Sequence, residues 1–134
     1  MRQYLIDSNI IIDFLKEKEK AVVFLDSLEE IIVSAITAGE IYQGVRNKKE
    51  LKFAKSFFQT TRVLAIDKQV SELALKLMEK YTLSHGLLIL DAMIAASAIR
   101  HNLTLMTGNI KHFKMIKELK IKVASYPQIR QNRS

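Results

Sequence analysis

Tyr4-Leu5-Ile6-Asp7-Ser8-Asn9-Ile10-Ile11-Ile12 sets one carboxylate in an otherwise apolar run. Residues 4–6 read as a strand, and the isoleucines after Asp7 open a helix predicted over about 9–18, with Ser8 or Asn9 able to cap it. An acid at such a step is costly. Without a partner a buried carboxylate destabilises the chain by several kcal/mol or takes up a proton, so Asp7 calls for compensation.

Outward from this stretch the strand-then-helix step recurs. Helical patterning covers residues 21–28, 36–45 and 51–58, and short apolar runs at 31–33 and 62–66 read as strands. Asp67 is placed to cap a long helix whose Val70, Leu73, Ala74, Leu77 and Tyr81 form a 3.6-residue stripe. A helix over 91–100 is apolar nearly all round and therefore central. A strand at 104–106, a short basic helix at 110–119 and a last strand at 121–124 complete the pattern. Short apolar strands separated by helices imply a parallel sheet with helices on both faces. One domain spanning 1–126, followed by a tail at 127–134, accommodates all 134 residues.

Composition narrows the class. Hydrophobic residues make up 49% and charged residues 26%, the balance of a globular chain. Absence of cysteine excludes disulfides and thiolate metal sites. The longest apolar run, 86–99, is short for a bilayer and contains Asp91. With Met1-Arg2 leading directly into a strand, the expectation is a cytoplasmic chain without a secretory leader or membrane association. The net charge of +7 is uneven: residues 1–99 balance, whereas 100–134 carry eight basic residues against Glu118 alone. Such a segment suits a polyanion or an acidic protein, although a solvated basic face has the same composition.

In open parallel sheets ligands gather at the carboxyl ends of the strands. Three acids fall near such positions: Asp7, Glu40 in Ile36-Thr37-Ala38-Gly39-Glu40-Ile41, and Asp91 in Leu88-Ile89-Leu90-Asp91-Ala92-Met93-Ile94. Each is flanked by apolar residues with no Arg or Lys mate in sequence. Brought together they would repel one another, and a divalent cation would reverse that balance. Oxygen ligands without Cys or a His cluster favour Mg²⁺ or Mn²⁺ over Zn²⁺. The blander alternatives are a helix cap for Asp91 and a solvated helix residue for Glu40. Asp13, Asp26, Glu29 and Glu30 read as surface charges. Ser8, Thr37 and Thr107 could support the acids or bond local backbone. His85, His101 and His112 lack metal-ligand spacing, and no phosphate-binding or nucleophile-elbow motif occurs.

The segments YLIDSNIIIDFL, VSAITAGEIYQGVR and LLILDAMIAASAIRHNLTLMTGNIKHF, in this order and at these separations, resemble the PIN-domain ribonucleases, and among them the VapC toxins of toxin–antitoxin pairs. The resemblance spans nearly the whole chain. It implies a three-layer α/β/α fold with a central parallel sheet of four or five strands. It also implies an Mg²⁺-dependent endoribonuclease, with Mn²⁺ as a substitute, acting on RNA such as transfer or ribosomal RNA. A homodimer and neutralisation by a small antitoxin protein are implied as well. Asp7, Glu40 and Asp91 match the family's metal-binding and catalytic acids. Thr107-Gly108-Asn109 matches the segment that often brings a fourth acid, and here Asn109 supplies an amide instead. One tightly held Mg²⁺, with a second recruited alongside the RNA phosphate, follows from that departure. Ser8, Thr107, Arg100, Lys111, His112 and Lys114 are the expected substrate contacts. Phe53, Phe57 and Phe58, at helical spacing, read as core or dimer packing rather than base stacking, and Phe57-Phe58 would fit a dimer contact. The rivals are a PIN nuclease that processes RNA without an antitoxin, a silent PIN module that only binds RNA or protein, and, from another class, a phosphotransfer protein using Asp7.

Overall fold

The computed structural model describes residues 3–124. The boundary expected at 126 and the tail beyond it lie outside the described residues. Five short strands, β1 (Tyr4–Ile6), β2 (Ile32–Ser34), β3 (Arg62–Leu64), β4 (Thr104–Thr107) and β5 (Ile121–Val123), form one parallel sheet in the order β3-β2-β1-β4-β5. Six helices connect them: α1 (Ser8–Leu15), α2 (Glu19–Asp26), α3 (Ala35–Gly44), α4 (Lys48–Gln59), α5 (Lys68–His85) and α6 (Ile89–Arg100). The expected α/β architecture and five-stranded sheet are present.

Strand alternation builds two cores. Leu5, Ile32 and Leu105 join the cluster that contains α5 and α6 residues, while their neighbours Ile6, Val33 and Met106 join the cluster formed with α1, α2 and α4. Successive side chains on a strand point to opposite faces, so three-residue strands suffice to seat both helical layers. Helix α6 is the central one: Ala92, Ala95, Ala96 and Ala98 are buried, and their small side chains let α5 pack closely.

The chain runs from β1 outward to β3, then returns to place β4 on the other side of β1. The sheet's switch point therefore lies between β1 and β4, where a crevice opens at the strands' carboxyl ends. Asp7 follows β1 there, and Thr107 ends β4.

Two local expectations change, and one open alternative is decided. Asp7 itself, rather than Ser8 or Asn9, is the N-cap of α1. The basic helix expected over 110–119 is only a 3-10 turn at Ile110–His112, followed by further turns. Asn109 makes no side-chain cap, successive basic residues repel, and Phe113, Ile116 and Leu119 recur every three residues, a spacing served by tight turns. Of the two readings of Phe57 and Phe58, core packing is the one present: both are buried, meeting each other edge-on and Phe14 and Tyr42 at a tilt.

Candidate active site

Asp7 is buried, and both of its carboxylate oxygens are held. Oδ1 accepts the Ser8 backbone N–H at 2.8 Å, and Oδ2 accepts the Thr107 hydroxyl at 2.6 Å. The Thr107 oxygen in turn accepts the Asn109 backbone N–H at 2.9 Å. An acid that caps α1 at the helix's positive end and is fixed by β4 has one orientation.

Glu40 sits in the second turn of α3, whose start is set by Ser34 accepting the Ile36 N–H. Burial raises its pKa first, the Asp7 and Asp91 charges raise it further, and a hydrogen bond with the Ser8 side chain opposes them. Its Oε1 is buried without a hydrogen-bond partner among the described residues. Asp91 lies in the first turn of α6. Its pKa is raised as well, chiefly by burial and also by Asp7, against the lowering influence of His112. The His112 Nδ1 stands 3.5 Å from Asp91 Oδ2. Asp7 at the cap of α1, Glu40 on α3 and Asp91 on α6 thus act electrostatically on one another, and His112 is the only basic side chain among the described residues within ion-pair distance of them.

The other expected residues divide. Ser8 and Thr107 support Glu40 and Asp7 respectively. Asn109 contributes its backbone N–H, with the residue exposed. Lys111, His112 and Lys114 are exposed on the segment after β4. Arg100 is not brought to the acids: it ends α6, nine residues and about 13 Å of helix from Asp91, and hydrogen-bonds Gln69. One residue escaped the sequence reading: Asp13, expected at the surface, is buried. Thr37, expected to support the acids or bond local backbone, has its Oγ1 buried without a hydrogen-bond partner among the described residues, as has Asn9 its Oδ1. Asp13 stands in the apolar run Ile10-Ile11-Ile12-Asp13-Phe14-Leu15, the same signal that singled out Asp7.

Among the described residues no group of three or more His, Asp or Glu side chains meets the geometry of a ready-made metal cage. The donor set nevertheless fits a hard cation. The carboxylates are oxygen donors whose charged forms burial and mutual repulsion disfavour, and Mg²⁺ retains several waters while binding one or two carboxylates. Beside Glu40 a cavity of about 480 Å³ opens between α1, α3 and α4, walled by Ile12, Leu15, Ile41, Val45, Phe53 and Ala54 and edged by Lys16, Arg46 and Glu50.

The family model for the PIN domain matches residues 4–119. Ribonuclease VapC19 of Mycobacterium tuberculosis is 33% identical over 120 residues, covering 86% of this chain and 95% of the relative. Ribonuclease VapC1 of Methanocaldococcus jannaschii is 31% identical over 121 residues, with 89% and 85% covered. A solved toxin-antitoxin complex from Klebsiella pneumoniae superposes with a TM-score of 0.75 at 27% identity, covering 92% of this chain and 97% of that one.

Proposed function

This chain belongs to the PIN domain family, and from that premise we propose that it is a Mg²⁺-dependent endoribonuclease, the toxin of a toxin–antitoxin pair. The observation that carries the reading is the coupled trio of Asp7, Glu40 and Asp91 at the sheet's switch point, with raised pKa values at Glu40 and Asp91. Such a cluster destabilises a chain that does not use it, which weighs against a silent binding module. The names of the relatives, VapC ribonucleases and a toxin-antitoxin complex, support the same reading.

Asp7 and Asp91 would hold the cation, partly through water. Bound there, Mg²⁺ or Mn²⁺ neutralises the carboxylates and stabilises charge on the phosphodiester. Glu40 accepts a proton from the attacking water. That water's oxygen bonds to phosphorus as the bond to the 3′ oxygen breaks, leaving a 5′-phosphate and a 3′-hydroxyl. The 2′-hydroxyl takes no part, so no cyclic phosphate forms. Thr107 keeps Asp7 in place throughout, and Lys111, His112 and Lys114 contact the RNA backbone. Arg100 is left with contacts distant from the cut.

The apolar cavity beside Glu40 suits an amphipathic segment of a small antitoxin, whose apolar face would cover Ile12, Ile41 and Phe53 while its end closes on the acids. Exposed Leu83, Leu88 and Leu90 offer a contact for a second copy in place of Phe57-Phe58. Among the described residues no helix is long and apolar enough to cross a membrane, and we place the protein in the cytoplasm with its RNA. The test is incubation with total RNA and with transfer RNA, in Mg²⁺ and in EDTA, with mapping of the fragment ends. An unneutralised nuclease without an antitoxin would give the same fragments but no small protein co-purifying from its native host.

A further inference from the structure

Glu118 is the single acid in the basic last quarter of the sequence, and the site does not use it. Its Oε1 accepts the Tyr81 hydroxyl at 2.8 Å and its Oε2 accepts Lys80 Nζ at 2.8 Å. The same phenol accepts the Lys117 backbone N–H at 3.2 Å. Tyr81 is 4% exposed, so its hydroxyl is a mostly buried group with both of its hydrogen-bonding capacities used, joining α5 to the segment after β4.

That segment, residues 109–120, is a strap with little regular structure. It is tied at its start to Thr107, along its length by buried Phe113, Ile116 and Leu119, and near its end by Tyr81. Its polar side chains face outward, and His112 stands against Asp91. Lacking a helix to fix them, the strap's cations take their positions from these anchors.

We infer that Tyr81 and Glu118 are a positioning pair that presents the basic strap to RNA; this rests on the nuclease reading above. Glu118 thereby strengthens polyanion binding although its charge has the wrong sign for it. A plain surface anion does the reverse, because removing it makes the protein more basic and tightens RNA binding.

The opposite signs give the test. Wild type, Tyr81→Phe, Glu118→Leu and Glu118→Gln are titrated with fluorescein-labelled transfer RNA in EDTA, over a series of salt concentrations and well below each melting temperature. Tyr81→Phe and Glu118→Leu should bind about three- to tenfold more weakly, as for one missing hydrogen bond. Their dependence on log salt should be shallower by about 0.7 for each phosphate the strap no longer neutralises. Glu118→Gln keeps an oxygen for the phenol while shedding the charge, and should bind as tightly as wild type or more tightly. Binding by Glu118→Leu that is tighter than wild type, or by Tyr81→Phe with unchanged affinity and slope, overturns the pair's role while leaving the nuclease reading in place. A wild-type chain without salt-dependent RNA binding likewise overturns the pair's role, and the nuclease reading stands or falls separately on cleavage in Mg²⁺.

Discussion

The Thr107 hydroxyl donates a 2.6 Å hydrogen bond to Asp7 Oδ2, joining residues one hundred positions apart across the two central strands. The bond turns a helix cap into an oriented carboxylate. Thr107→Val, which removes the hydroxyl at nearly constant shape, should lower Mn²⁺ affinity and cleavage about 10- to 100-fold, as is typical for a partner that orients a ligand. Calorimetric titration with Mn²⁺ and RNA cleavage assays check both.

Asp7 has two duties that substitution can separate. Asp7→Asn should abolish cleavage yet fold, since an amide oxygen can still accept the Ser8 N–H and the repulsion with Glu40 is relieved. Asp7→Ala loses the cap as well and should be less stable than Asp7→Asn by about 1 kcal/mol. Urea denaturation measures the difference.

For Glu40, the folded-state pKa lies above its ordinary value of 4.5, with burial the first cause and the Asp7 and Asp91 charges next. Asp91 is displaced in the same direction from 3.8. The folded state then binds more protons than the unfolded one between the ordinary and the raised values. Stability linked to these groups is greatest at and below the ordinary pKa values and falls as pH rises through the raised ones. In metal-free protein, Glu40→Gln should flatten that fall and melt higher than wild type at neutral pH. Thermal melts from pH 4 to 8 in EDTA test the sign.

A cation that binds only the folded chain reverses the same penalty. At a Mg²⁺ or Mn²⁺ concentration one hundred times the dissociation constant, stability should rise by about 2.7 kcal/mol. Asp91→Asn should lose most of that increment. A melt with and without Mn²⁺ for both proteins reads it directly, and an equal rise in the two would separate the acids from metal binding.

Gly39 lies inside α3, one residue before Glu40, and a Cβ there would meet nothing within 4 Å. Its φ is not in the left-handed region, so nothing in the chain requires glycine. Gly39→Ala should stabilise the protein by about 0.5–1 kcal/mol, again measured in urea.

Much of this was legible in the sequence because burial imposes pattern. The short apolar strands, the stripe from Val70 to Tyr81, the Asp67 cap and the all-apolar α6 are each local consequences of facing a core, and each is present in the fold. The acids were legible for the converse reason: Asp7, Glu40 and Asp91 stand where apolar patterning leaves no room for charge. What failed depends on partners distant in sequence. The three-residue spacing of Phe113, Ile116 and Leu119 hints that residues 110–119 are not an α-helix, but the contacts that hold the tight turns, Tyr81 and the core beneath Phe113 and Ile116, are distant in sequence. The helical spacing of Phe57 and Phe58 left core and dimer packing both open, and only their contacts with Phe14 and Tyr42 decide for the core. Asp13 meets the Asp7 criterion on its apolar side, but the polar residues that follow Leu15 give it the pattern of a surface charge.

The central claim, metal-dependent hydrolysis of RNA by the Asp7, Glu40 and Asp91 trio, is tested most directly by end mapping. Purified protein is incubated with total RNA, in Mg²⁺ and in excess EDTA, beside Asp91→Asn. Fragments carrying 5′-phosphate and 3′-hydroxyl ends, formed by wild type in Mg²⁺ alone, are the predicted result. Undiminished cleavage in EDTA or by Asp91→Asn, or fragments ending in 2′,3′-cyclic phosphate, would contradict it.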